Sequence, residues 1–315
     1  MVLLVVGALA VLYVRGWWQL HRNPRTRGAA PGWRLAAYLA GLASVVFALC
    51  SPLELLAELS FTANMIQHQL LMMAAPPLLL LAAPFPMILW ALPPRLRRRL
   101  GALVSRPGPA RRVLRTLTRM PVAGTLYTVT LWSWHHPVAY EAALRYPALH
   151  DLEHLAFFGT AVLFWWPIVN PAPRFHRLTS GVMYGARIGY LILATAQNTL
   201  LGAVFGLSER VFYPSYAAAP RVLADWNPVD DQAFGGGVMW SGSHMFLLAL
   251  LILLHRAMEA EGRKAGARAR PIVRIRPVHA RHRHPGAPRH HGPGPPHLRA
   301  RQDARPRAPT RPGHA

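Results

Sequence analysis

An all-helical, polytopic membrane bundle is predicted by three features of this 315-residue sequence. Hydrophobic residues make up 52% of the chain and charged residues only 15%, below the quarter or so usual for soluble domains. The apolar residues gather in stretches long enough to cross a bilayer, where a backbone without water must satisfy its own hydrogen bonds as helix. The formal net charge of +23 is carried between those stretches. A soluble enzyme with a basic surface is thereby excluded. The single cysteine, Cys50, excludes disulfide frameworks, Cys-ligated zinc, iron–sulfur clusters and Cys-based copper motifs.

Seven spans are expected: residues 2–13, 33–51, 64–92, 120–134, 152–169, 182–207 and 235–255. The first is short, since a dozen residues reach about 18 Å against a hydrocarbon core of roughly 30 Å. Continuing it through Trp17 and Trp18, which suit the interface, lengthens it. A signal peptide is the rival reading, but no positive charge precedes the apolar run. A start upstream of Met1 is an equal alternative. In the third span Pro76, Pro77, Pro84 and Pro86 must break or bend the helix. Gln197, Asn198 and Thr199 are expected to hydrogen-bond between helices, and Arg187 to snorkel. Gly235, Gly236 and Gly237 give the last span a face for close packing.

Charge sets the expected topology. Segments 15–34, 93–119, 170–180 and 256–315 hold nearly all the arginines, with a cluster at Arg95, Arg97, Arg98 and Arg99. The alternate loops hold only Arg145, Arg210 and Arg221, and with Glu153 they carry nine of the 12 acids. The positive-inside rule places the N-terminus outside and the C-terminus inside. Basic residues are then a topology signal and a contact with the cytoplasmic leaflet, and nucleic acid is not needed as a partner. The bundle is expected to occupy residues 1–255, followed by a disordered Arg-, Pro- and His-rich cytoplasmic tail over 256–315.

Six histidines fall at outer helix ends: His68, His135, His136, His150, His154 and His244. Intramembrane ionisable groups are functional candidates by default. His150 and His154 stand four apart and share a helical face, so both can clasp one metal ion. Met65, His68 and Met72 form one stripe, and thioether favours Cu(I). Adjacent His135 and His136 point about 100° apart, so one of them faces inward. The bland alternative for each histidine is an interfacial side chain bonded to a neighbour. His150 to His154 also spells H-x-x-E-H, an inverted zincin pattern, although nothing resembling a soluble peptidase region accompanies it.

Several motifs occur in the order seen in the CtaG type of cytochrome c oxidase assembly factor. They are Met65-Ile66-Gln67-His68-Gln69 leading into Ala75-Pro76-Pro77, then Trp134-His135-His136-Pro137 with Tyr140, then His150-Asp151-Leu152-Glu153-His154 leading into Phe164-Trp165-Trp166-Pro167. Tyr213-Pro214-Ser215-Tyr216, Asp231-Gln232 and Gly236-Gly237-Val238-Met239-Trp240 complete the set. The chain resembles that family over residues 33–255. The resemblance implies a multi-pass protein of the bacterial plasma membrane, not an enzyme, that serves haem–copper oxidase assembly with oxidase subunits, copper and lipid as partners. It places the family's histidines on His68, His135, His150 and His154. With Met72 as a soft auxiliary donor and His244 as a further candidate, these are the expected metal ligands, and copper the expected ion. Two other classes stay open: a haem-binding redox protein using two of the histidines, and a small-solute or metal transporter.

Overall fold

The computed structural model describes residues 1–176, 181–221 and 226–269, and the described chain from Met1 to Ala269 is one helical unit. Among the described residues every regular element is helical. The expected tail beyond residue 269 lies outside the described residues.

The chain runs as α1 (Val2–Arg22), α2 (Gly32–Cys50), α3 (Pro52–Leu59), α4 (Phe61–Gln69), α5 (Ala75–Leu81), α6 (Pro84–Ala91), α7 (Pro94–Ser105) and α8 (Pro109–Leu117). It continues through α9 (Met120–Trp134), α10 (Pro137–Arg145), α11 (Pro147–Val169), α12 (Gly181–Gly206), α13 (Pro214–Ala218) and α14 (Pro228–Ala269). Proline explains much of this segmentation. It occupies the first turn of α3 and of every helix from α5 to α11, where its missing N–H leaves no bond unmade and its fixed φ favours the helix.

Among the described residues five helices are long and apolar enough to cross a membrane, and six if the bent pair formed by 61–81 and α6 is one span. The apolar side chains on their outer faces, such as Leu155, Leu193 and Leu251, are exposed, as lipid contact requires. The first helix runs through Trp17 and Trp18 to Arg22, so its 21 residues rise about 32 Å. The expected span at 120–134 is α9, whose 15 residues rise about 22 Å, short of the hydrocarbon core. The last helix passes the expected bundle end at His255 and continues to Ala269. Residues 256–269 are rich in Ala, Glu, Lys and Arg, all strong helix formers, which extends the helix beyond its apolar part.

The prolines of the third span act in two different ways. A bend of 61° falls between Leu81 and Pro84, at Ala83 with its left-handed φ of 50°. Pro76 and Pro77 are instead absorbed by a π turn over Leu70–Ala74. Pro76 has no N–H to offer the Met72 carbonyl four residues back, and the Trp165 indole on α11 donates to that carbonyl at 3.0 Å. A backbone vacancy in one helix thereby becomes a tie to another.

Close approach holds the remaining helices. A Cβ on Gly236 of α14 would collide with the backbone of Gly202 and Gly206 on α12, the small-xxx-small contact of membrane helices. Asn198 donates to the Met239 carbonyl at 2.9 Å and to Ser243 Oγ at 3.0 Å, and Trp132 donates to Gln197 Oε1 at 3.1 Å. Arg187 does not snorkel: it is buried, and its guanidinium donates to the Ile168 carbonyl near the end of α11, where the helix dipole favours a cation.

The N-terminus of α4 is tied to α14 by Asp231. Its carboxylate accepts Phe61 N–H at 2.7 Å, Thr62 N–H at 3.1 Å and Ser60 Oγ at 2.7 Å. The negative charge also meets the positive end of the α4 dipole. Asp231→Ala should lower stability by about 1–2 kcal/mol, read as a drop in the thermal midpoint of the purified protein. Asp230→Ala should change it little, because that carboxylate accepts only a long 3.4 Å bond from Asn227 N–H.

Candidate metal centre

Three helices bring the expected histidines together at the bundle end that also carries α3, α10 and α13. His68 comes from α4, His135 closes α9, and His150 and His154 lie on α11. Their rings form a ladder: His150 to His154 4.3 Å, His154 to His68 5.5 Å, His68 to His135 6.1 Å between centroids. His68, His135 and His154 are buried at 2%, 4% and 6% exposure, and His150 is half-buried.

Two carboxylates join them. Glu54 on α3 places an oxygen so that it, His150 and His154 offer ligand atoms all within 4.8 Å of one another. Glu153, fully buried on α11, stands 3.9 Å from His68 Nε2. Neither was assigned to the site from sequence. In the sequence Glu54 is one of the nine outer acids, and Glu153 is both one of those acids and part of the zincin-like word. A signal was available for Glu153, which sits three residues after His150 and beside His154 on one turn. For Glu54 none was, because its partner Gln67 is fixed only by folding.

Hydrogen bonds set the orientation of this shell. His135 Nδ1 meets the Leu131 carbonyl at 2.7 Å, which holds that nitrogen protonated and leaves Nε2 as the available donor atom. Gln67 Nε2 donates to the Ala48 carbonyl at 2.9 Å and to the Glu54 carboxylate, aiming Glu54 at α11. Burial raises the Glu54 carboxyl above the usual carboxylate range, the Gln67 bond opposes this, and Glu58 and Asp151 add to it. Below the rings, Tyr140 and Tyr213 stack at 3.9 Å. Tyr213 donates to the His135 carbonyl at 2.8 Å, and Tyr216 to the Ala57 carbonyl at 2.9 Å.

Most of the site's ligand atoms lack a partner in the protein. Both ring nitrogens of His68, Nε2 of His135, His150 and His154, and Oε1 of Glu153 are buried without a hydrogen bond. Each such group costs about 1–3 kcal/mol. Their convergence from separate helices is the pattern of a ligand site, since a bound cation can satisfy such donors where water and protein do not. This donor set fits a bound copper ion.

The other expected ligands are placed differently. His136 is exposed while His135 is buried, so one of the pair does turn inward. Met72 is packed in the same apolar core as Phe157 and Trp165. His244 is not brought to the cluster. Its ring is exposed with Nδ1 at 2.8 Å from the Ser241 carbonyl, because Ser243 and Phe246 take the inward face of α14.

The family described as cytochrome c oxidase caa3 assembly factor (Caa3_CtaG) matches residues 11–260, a stretch that includes every residue of this cluster. The chain belongs to that family. It is also similar to uncharacterized proteins of Mycobacterium bovis and Mycobacterium tuberculosis, each 26% identical over 275 residues, covering 84% of this chain and 40% of the relative. An uncharacterized protein of Mycobacterium leprae is 25% identical over 285 residues, covering 83% of this chain and 41% of the relative. The chain thus spans about two fifths of the length of these curated relatives. No solved structure matches it.

Proposed function

We propose that this assembly factor handles copper for cytochrome c oxidase, holding the ion among His68, His135, His150 and His154 with Glu54 and Glu153 as counter-charges. One observation carries the reading: buried, unpartnered imidazole and carboxylate atoms from α4, α9 and α11 converge, beside the Glu54 carboxylate of α3, at one end of a membrane bundle. Imidazole suits copper, and membership of an oxidase assembly family gives a destination for that metal. Rings packed 4.3–6.1 Å apart, with Phe157 at 4.7 Å from His68, favour a small ion over a macrocycle such as haem. A transport path is disfavoured because Gln197 and Asn198 are committed to helix packing. The protein is a carrier rather than an enzyme: Glu153 is buried against His68 and not open to a peptide.

In this reading the chain crosses the bacterial plasma membrane seven times, with its N-terminus outside. The histidine end faces the outer compartment, and the arginines of α7 and α8 lie on the cytoplasmic leaflet. The short α9 is then a crossing in a locally thinned bilayer.

Alanine at His68 or His154 should lower the copper retained by the purified protein and lower assembled oxidase, while the variant still reaches the membrane. His136→Ala should leave both unchanged. Full copper and full oxidase assembly in the first two variants would contradict the proposal. Reporter fusions after Arg99 and His176 should read cytoplasmic and one after Tyr140 external; a cytoplasmic signal at Tyr140 would reverse the orientation.

A further inference from the structure

The six donors do not form one coordination sphere. Two ligand nitrogens on a single ion, each about 2.0–2.1 Å from it, stand at most about 4 Å apart. Glu54, His150 and His154 approach this, with all their ligand atoms within 4.8 Å. His68, His135 and Glu153 lie outside that group and form a deeper tier, each with no more than 4% exposure. In this tier His68 Nε2 and Glu153 Oε1 are 3.9 Å apart, and both are without a hydrogen bond, as is His135 Nε2. His154 stands between the tiers, with its ring 4.3 Å from His150 and 5.5 Å from His68.

Charge supports the division. Each tier holds two or more imidazoles and one carboxylate. A monovalent copper ion with one carboxylate and neutral imidazoles carries no net charge, so it can sit in the low-dielectric interior without a counter-ion. A divalent ion in the deeper tier would leave one positive charge uncompensated. Glu153 is otherwise a buried carboxyl whose Oε1 has no donor in the protein.

Resting on the copper reading above, we propose that His68, His135 and Glu153 form a second Cu(I) position, filled from the Glu54–His150–His154 position by ligand exchange through His154. The ion leaves Glu54 and His150, stays on His154, and gains His68 and then Glu153 and His135. No electron is transferred: the +1 charge moves with the ion, so the occupied position is neutral, and the Glu54 carboxylate that the ion leaves takes up a proton from water. The half-exposed tier is the entry, and the buried tier keeps the ion from water and oxidants.

The test is an anaerobic Cu(I) titration of the full-length protein in mild detergent against a chromogenic Cu(I) chelator. Tight equivalents are counted for wild type, Glu153→Gln and His150→Ala; residues 270–315 are identical in all three, so their contribution cancels. Each variant should bind one equivalent fewer than wild type, and the double variant two fewer. If Glu153→Gln does not reach the membrane folded, His135→Gln reads the same tier. A wild-type count in the deep-tier variant, with one equivalent lost in His150→Ala, would overturn the second position and leave the copper reading standing. Identical counts in all the proteins would overturn the copper reading itself.

Discussion

Imidazoles and carboxylates withdrawn from water without hydrogen-bond partners are the constraint around which this protein is organised. At about 1–3 kcal/mol for each unsatisfied group, the cluster at His68, His135, His154 and Glu153 opposes folding when it holds no ion. The bundle must therefore be held by contacts elsewhere. Asp231 fastens α4 to α14, the Gly202–Gly206–Gly236 contact joins α12 to α14, and Trp165 completes the backbone of the π turn after His68. The tyrosine group under His135 ties α10 and α13 to α3 and α9. The first, third and fourth of these ties each fix a helix that carries a donor, and the α12–α14 contact braces the helix to which α4 is fastened. That arrangement allows a ligand shell to stand preformed rather than to be assembled by the ion.

A preformed shell of imidazole and carboxylate is suited to a carrier. Thiolates would hold soft copper more tightly, and the only cysteine, Cys50, is exposed and outside the cluster. Release to a partner needs a site whose ligands are positioned but not gripping. The ladder of rings from half-buried His150 to buried His135 offers such a graded environment.

Much of this was legible in the sequence, for identifiable reasons. Helices follow from apolar length in a solvent that cannot hydrogen-bond, and α1, α2, α11, α12 and α14 obey that rule. The i, i+4 spacing of His150 and His154 was sufficient to place two rings on one face. What depended on tertiary contact was not legible. The π turn at Leu70–Ala74 leaves the Met72 carbonyl to be met by Trp165, far along the chain, and only the folded bundle shows that bond. Glu54 enters the site through Gln67, and only a folded α3–α4 corner reveals that bond. His244 lies on the exposed face of α14, away from the cluster, and helical phase in a uniformly apolar span cannot be read from composition. The same uniformity hid the end of α14, which continues beyond His255 on helix propensity after its apolar residues run out.

The central claim is that nitrogen and oxygen donors at this end of the bundle bind copper. X-ray absorption at the copper edge, on the purified protein loaded with one equivalent of Cu(I), tests it most directly. The spectrum should show a low-coordinate shell of nitrogen and oxygen with the outer-shell scattering of imidazole, lost in a variant lacking both His68 and His154. A shell dominated by sulfur, or an imidazole signal unchanged in that variant, would contradict it.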